Sequence, residues 1–79
     1  MDITPAQCRA ARALLDITQD RLAELSGVSK RTIAHFEGGQ RTPIPANFAA
    51  IQRAFEGAGV EFTNGEFPGV RIRRASAQP

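Results

Sequence analysis

With 79 residues, 42% of them apolar, and a single cysteine, the chain has material for one small core and none for an intrachain disulfide. Disorder throughout is excluded by this composition, and a reducing, cytoplasmic setting suits the lone thiol. No run approaches the roughly 18 apolar residues of a membrane helix, and no basic segment followed by an apolar run opens the chain, so a soluble, non-exported protein is expected. A formal net charge of +2 is too small to announce nucleic-acid binding by itself. Its distribution says more. Asp2, Asp16, Asp20 and Glu24 lie early, Lys30, Arg31 and Arg41 cluster in the middle, and Arg71, Arg73 and Arg74 crowd the end. A local positive face attracts phosphates whatever the global sum.

In chain order, Thr4-Pro5-Ala6-Gln7 is a helix start: Thr4 accepts from an orphan N–H, Pro5 suits the first helical position, and Gln7 returns a capping-box bond. The first helix is predicted over about Pro5 to Leu15, with Cys8, Ala11, Leu14 and Leu15 as its apolar stripe. After Asp16-Ile17, Thr18 caps a second helix that has Asp20 in its first turn and buries Leu22, Ala23 and Leu25. Gly27 ends it in a left-handed conformation. Ser29 caps a third helix, from which Ile33 and Phe36 project together. At about 100° per residue, Arg31, Ala34, His35 and Gly38 fall on the opposite side, with Lys30 flanking them. Two helices joined by a tight Gly-containing turn, the second apolar within and basic without, form a helix-turn-helix reader of DNA.

Gly38-Gly39 stops the third helix, and Gln40 to Ile44 form a loop before Pro45 opens a fourth helix with Phe48, Ile51 and Phe55 as its core stripe. Gly57 or Gly59 ends it. Val60 to Thr63 and Val70 to Arg73 then alternate around the Asn64-Gly65 turn signal, which predicts a hairpin. A lone hairpin is marginal in water, so Val60, Phe62, Val70 and Ile72 need a helix or another chain to cover them and are candidate dimerisation residues. Arg71 and Arg73 fall on the other face, where solvating the strand is the preferred reading and contact with the flanks of DNA the alternative. The expected division is a DNA-binding domain over residues 1–59, a hairpin over 60–74 and a flexible tail over 75–79. The fold class is thus mainly α, four helices with a short C-terminal hairpin.

From Thr18 to Glu37 the chain resembles the Cro/phage-repressor (lambda repressor-like, XRE) family of helix-turn-helix proteins. The likeness rests on Gln19 opening the second helix, Leu22-Ala23 in its core, Gly27-Val28 at the turn, Ser29 as cap, Ile33 and Phe36 inward, and Glu37 before a Gly-rich exit. It extends back through Arg12 and forward through the Phe48-Ile51-Phe55 helix, about three-quarters of the chain by comparison with helix-bundle sizes. Beyond Gly59 it lapses, because the family usually carries a fifth helix or a longer domain there. The resemblance implies that Lys30, Arg31, Ala34 and His35 meet base edges, Arg as a fork on guanine O6 and N7 and Ala34 on a thymine methyl. It also implies phosphate contacts from Gln19, Ser29, Thr32, Gln40 and Arg41, and a structural ion pair between Arg12 and Glu37.

Each of these residues has a plainer reading. Lys30 and Arg31 alone would be solvated surface charge, and it is the surrounding motif that turns the preference. His35 has two readings, covering the helix surface or touching a base. Cys8 is a small core residue more readily than a redox sensor.

The function expected is a sequence-specific transcriptional regulator, a repressor that occupies an inverted-repeat operator of double-stranded DNA as a homodimer. The alternative is an antitoxin or other adaptor on the same fold that holds a protein partner with its C-terminal segment. An enzyme has little support, since one His and one Cys offer no nucleophile-base pairing. No metal, cofactor or membrane association is expected.

Overall fold

A computed structural model describes residues 3–73, so that Met1, Asp2, Arg74 and the expected tail lie outside the described residues. Four helices, α1 (Pro5–Leu15), α2 (Gln19–Ser26), α3 (Lys30–Glu37) and α4 (Pro45–Gly57), precede two strands, β1 (Val60–Thr63) and β2 (Gly69–Ile72). Local sequence sets the helix ends. Thr4 Oγ1 accepts from the Gln7 N–H at 3.1 Å while Gln7 Oε1 accepts from the Thr4 N–H at 2.8 Å, the predicted capping box. Thr18 and Ser29 cap α2 and α3 through their hydroxyls. Gly27 closes α2 at φ 77°, a region that costs other residues strain. Ser26 Oγ, donating to Leu22 O and accepting from the Val28 N–H, braces the turn into α3.

Leu22, Ile33, Ile51 and Phe55 are fully buried at the centre of the bundle, joined by Cys8 and Ala11 from α1. Phe36 and Phe48 meet edge to face at 5.2 Å and lock α3 onto α4. Two residues of the predicted stripes depart from expectation: Leu14 is 45% and Leu25 44% exposed. The inward side of α1 is centred on Cys8 and Ala11, and Leu14 falls about 120° from Cys8 around the helix. On α2 the inward side runs from Leu22 through Ser26 to Ala23, and Leu25 lies on the opposite flank of Leu22.

The strands pair antiparallel, Val60 opposite Ile72 and Phe62 opposite Val70, so β2 begins at Gly69, one residue before the prediction. Arg73 still extends the ladder by donating its N–H to Gly59 O at 2.7 Å. The hairpin belongs to the core. α1 packs on β2 and α4 on β1, Val60 is 2% exposed, and the Phe55 and Phe62 rings meet at 5.8 Å. Gln7 completes the attachment, its buried Nε2 donating to Thr63 O at 2.7 Å and Gly69 O at 3.0 Å across the hairpin mouth. Of the two covers expected for the apolar face, a helix or another chain, the protomer's own helices supply most. Of the four residues named for dimerisation, Val60 is buried, Phe62 and Val70 are half-buried, and Ile72 is 37% exposed. On the outer face Arg71 and Arg73 close on Glu61, each at 2.8 Å, and these two guanidiniums hold its carboxyl below the usual range.

Candidate nucleic-acid interface

The outward side of α3 is built on a fixed inner side. Ile33 is fully buried and Phe36 nearly so, which turns Lys30 and Arg31 to solvent and leaves Ala34 and His35 half-buried beside them. Glu37, at the end of the helix, anchors it. Its carboxylate is buried and accepts from Arg12 Nε at 2.7 Å and Arg12 Nη2 at 2.8 Å, the forked geometry available to a guanidinium. Gln19 Nε2 adds a bond at 2.9 Å and Cys8 Sγ another at 3.2 Å, while Arg9 donates to the Glu37 backbone carbonyl. One carboxylate thereby ties α1, α2 and α3 together and sets the angle at which α3 is presented. Burial pushes the Glu37 carboxyl up, but the hydrogen bonds from Arg12, Gln19 and Cys8 outweigh it and hold it below the ordinary value.

Arg31, Thr32 and His35 on α3 share a concavity of about 250 Å³ with Arg41 and Pro43 from the following loop. The loop is tied back to the helix by the Gln40 N–H, which donates to His35 O at 2.9 Å, and by Gly39 at φ 76°. Two of the four sequence-predicted base-facing residues, Arg31 and His35, thus share one concavity with Arg41; Lys30 and Ala34 lie outside it. Ser29 caps α3 by accepting from the Thr32 N–H and donates its own proton to Thr32 Oγ1 at 3.0 Å, which leaves the Thr32 hydroxyl hydrogen to donate outward. Lys30 Nζ lies 3.4 Å from Asp20 Oδ1 in the first turn of α2. Arg31 and Arg41 are in none of the ion pairs among the described residues.

Gln19, expected on a phosphate, donates one N–H of its half-exposed amide to Glu37 Oε1 at 2.9 Å, and the amide retains a second N–H. Three residues had weaker signals. Cys8 was read as core and is also a donor to Glu37; Gln7 was read only as a cap and is also the hairpin clamp; Asp20 was read only as a favourable charge at a helix start. Arg9, exposed on α1, carries no sequence signal for its contact.

This surface offers cationic and polar groups. Burial and then the Glu37 hydrogen bond push the Cys8 thiol well up, the reverse of what a nucleophile needs. Among the described residues no cluster of His, Cys, Asp and Glu could hold a metal, and no helix is long and apolar enough to cross a membrane. A family model for helix-turn-helix domains (HTH_3) matches residues 9–61, from α1 into β1. No curated protein matches the chain. With the buried Ile33-Phe36 side, the exposed basic side and the capped turn all within the matched span, the chain belongs to the Cro/C1-type helix-turn-helix family of DNA-binding regulators.

Proposed function

We propose that the protein is a sequence-specific repressor that binds an inverted-repeat operator as a homodimer and acts by occupying it. The observation that carries this reading is the exposure of Arg31 on the side of α3 turned away from Ile33 and Phe36, with Arg41 beside it and the exposed Lys30 on the flank. One such helix reads only a short half-site, and two copies about 34 Å apart along the duplex supply the selectivity a regulator needs. Ile72, with the 83% exposed Phe67 at the hairpin tip, is the apolar surface the hairpin offers to a second copy. The adaptor reading is left with the same small surface, because Val60 and most of the hairpin's inner face are taken up internally. Selection of bound sites from random duplex DNA tests the proposal. An inverted repeat is the expected product; a pool that stays random would reject sequence-specific regulation.

Arg31 and Arg41 separate reading from gripping. On the selected site, Arg31→Ala is expected to cost about 1–3 kcal/mol and to relax discrimination at one base pair. Arg41→Ala is expected to weaken binding to selected and random duplexes alike and to reduce the salt slope by about 1. Fluorescence anisotropy with both duplexes distinguishes the two, and an equal loss on both for Arg31→Ala would remove its base-reading role.

A further inference from the structure

Of the cations on the candidate interface, Lys30 alone is paired with a carboxylate among the described residues, Asp20 Oδ1 lying 3.4 Å from its ammonium. The pair does little for the fold. Both side chains are more than half exposed, and such pairs contribute about 0–1 kcal/mol. Nor does Asp20 cap α2, since Thr18 accepts from the Arg21 N–H in that role. What the pair does is set the charge at the α2–α3 junction. α2's N-terminal turn presents backbone N–H groups that favour an anion, and the Asp20 carboxylate stands in that turn, one residue from the helix start. It repels an arriving phosphate and at the same time occupies the ammonium that would attract one.

We infer that Asp20 is a specificity-determining residue that lowers binding to non-cognate DNA by holding Lys30 and opposing phosphate at the α2–α3 junction. The inference rests on the operator-binding reading above. On a non-cognate duplex, the contacts offered to Lys30 are phosphates, and these compete with Asp20 for the ammonium. On a cognate site a base edge such as guanine O6 or N7 gives Lys30 an acceptor deeper in the groove, away from the carboxylate. Asp20 thereby penalises the sequence-independent part of binding more than the part that depends on sequence.

The test is to titrate the wild-type chain, Asp20→Asn and Asp20→Glu with the selected site and with a random duplex of the same length, over a range of salt. Asp20→Asn should bind the random duplex about threefold to fivefold more tightly, the scale of one exposed charge interaction, and gain less on the selected site. Its salt slope on random DNA should steepen by about one, as Lys30 takes up a phosphate contact. Asp20→Glu should restore the wild-type ratio of the two affinities. Circular dichroism checks that both variants keep the helical fold, which an exposed, non-capping position permits. Wild-type binding with a ratio unmoved by Asp20→Asn, or an equal gain on both duplexes, overturns the inference and leaves operator binding standing. Failure of the wild type to bind either duplex at low salt removes the operator-binding reading and this inference with it.

Discussion

Arg12→Ala is expected to destabilise the fold by about 3–5 kcal/mol at neutral pH, because it strands a buried carboxylate rather than deleting a surface contact. The Glu37 side chain is 3% exposed, and among the described residues Arg12 is the only charged donor to its carboxylate; what remains there after truncation is the Gln19 amide and the Cys8 thiol. Two neutral donors do not replace a forked guanidinium in a desolvated site. Arg12 also donates through Nη1 to Ile17 O at 3.1 Å, so the α1–α2 connection loosens with the same substitution. Urea unfolding followed by circular dichroism gives the size of the loss.

The pH dependence identifies the cause. In the wild type the Glu37 carboxyl is held below its unfolded value, so its contribution is complete above that value, about 4.3, and is lost as pH falls through the lower folded one. In the variant, burial without Arg12 pushes the same carboxyl up, and protonation relieves the stranded charge. The stability gap between the two proteins should therefore narrow as pH falls from 7 towards 4. A gap of constant size across that range would mean that lost packing, not the stranded charge, is responsible.

The consequence reaches the reading helix, because Glu37 fixes α3 to α1 and α2 at one point. Presentation of Arg31 and His35 depends on it although neither touches it. This connection was legible from the sequence only through the family likeness. Nothing in the spacing of Arg12 and Glu37, on different helices, reveals that their side chains meet. By contrast the caps at Thr4, Thr18 and Ser29, the left-handed Gly27 and the inward pair Ile33-Phe36 followed from local chemistry, since each is decided within one helical turn. The excess of stripe residues assigned at Leu14 and Leu25 shows the limit of periodicity, which gives a face but not how wide a strip the neighbours cover.

The hairpin was found from its alternation and turn signal, yet its attachment was not. Covering an apolar strand face needs long-range packing, and the sequence does not say whether that packing comes from the protomer or from a second chain. Here α1 and α4 supply it. Gln7 seals the arrangement with an amide that had already been assigned a local role at the Thr4 cap, a double use that one-dimensional reading does not anticipate. Gln19 is a second such case, opening α2 while its amide donates to the buried carboxylate of the next helix.

Phe55→Ala should test how far the hairpin is part of the single core. Phe55 is the largest fully buried side chain and touches Phe62 across the α4–β1 junction, so its truncation leaves a cavity at the place where the strands join the helices. The expected loss is about 3–5 kcal/mol. A domain of this size has a total stability of about 4–12 kcal/mol, which puts the variant close to its unfolding threshold at physiological temperature. Two measurements locate the damage. Hydrogen exchange should show the amides of Val60 to Thr63 and Gly69 to Ile72 losing protection together with α4, rather than α4 alone. Addition of the selected duplex should raise the melting temperature of the variant, because a ligand that binds only the folded chain stabilises it by mass action, and the α2–α3 surface lies outside the cavity. A loss under about 1 kcal/mol, with hairpin protection unchanged, would place Phe55 in a site that collapses without cost and would separate the strands from the helical core.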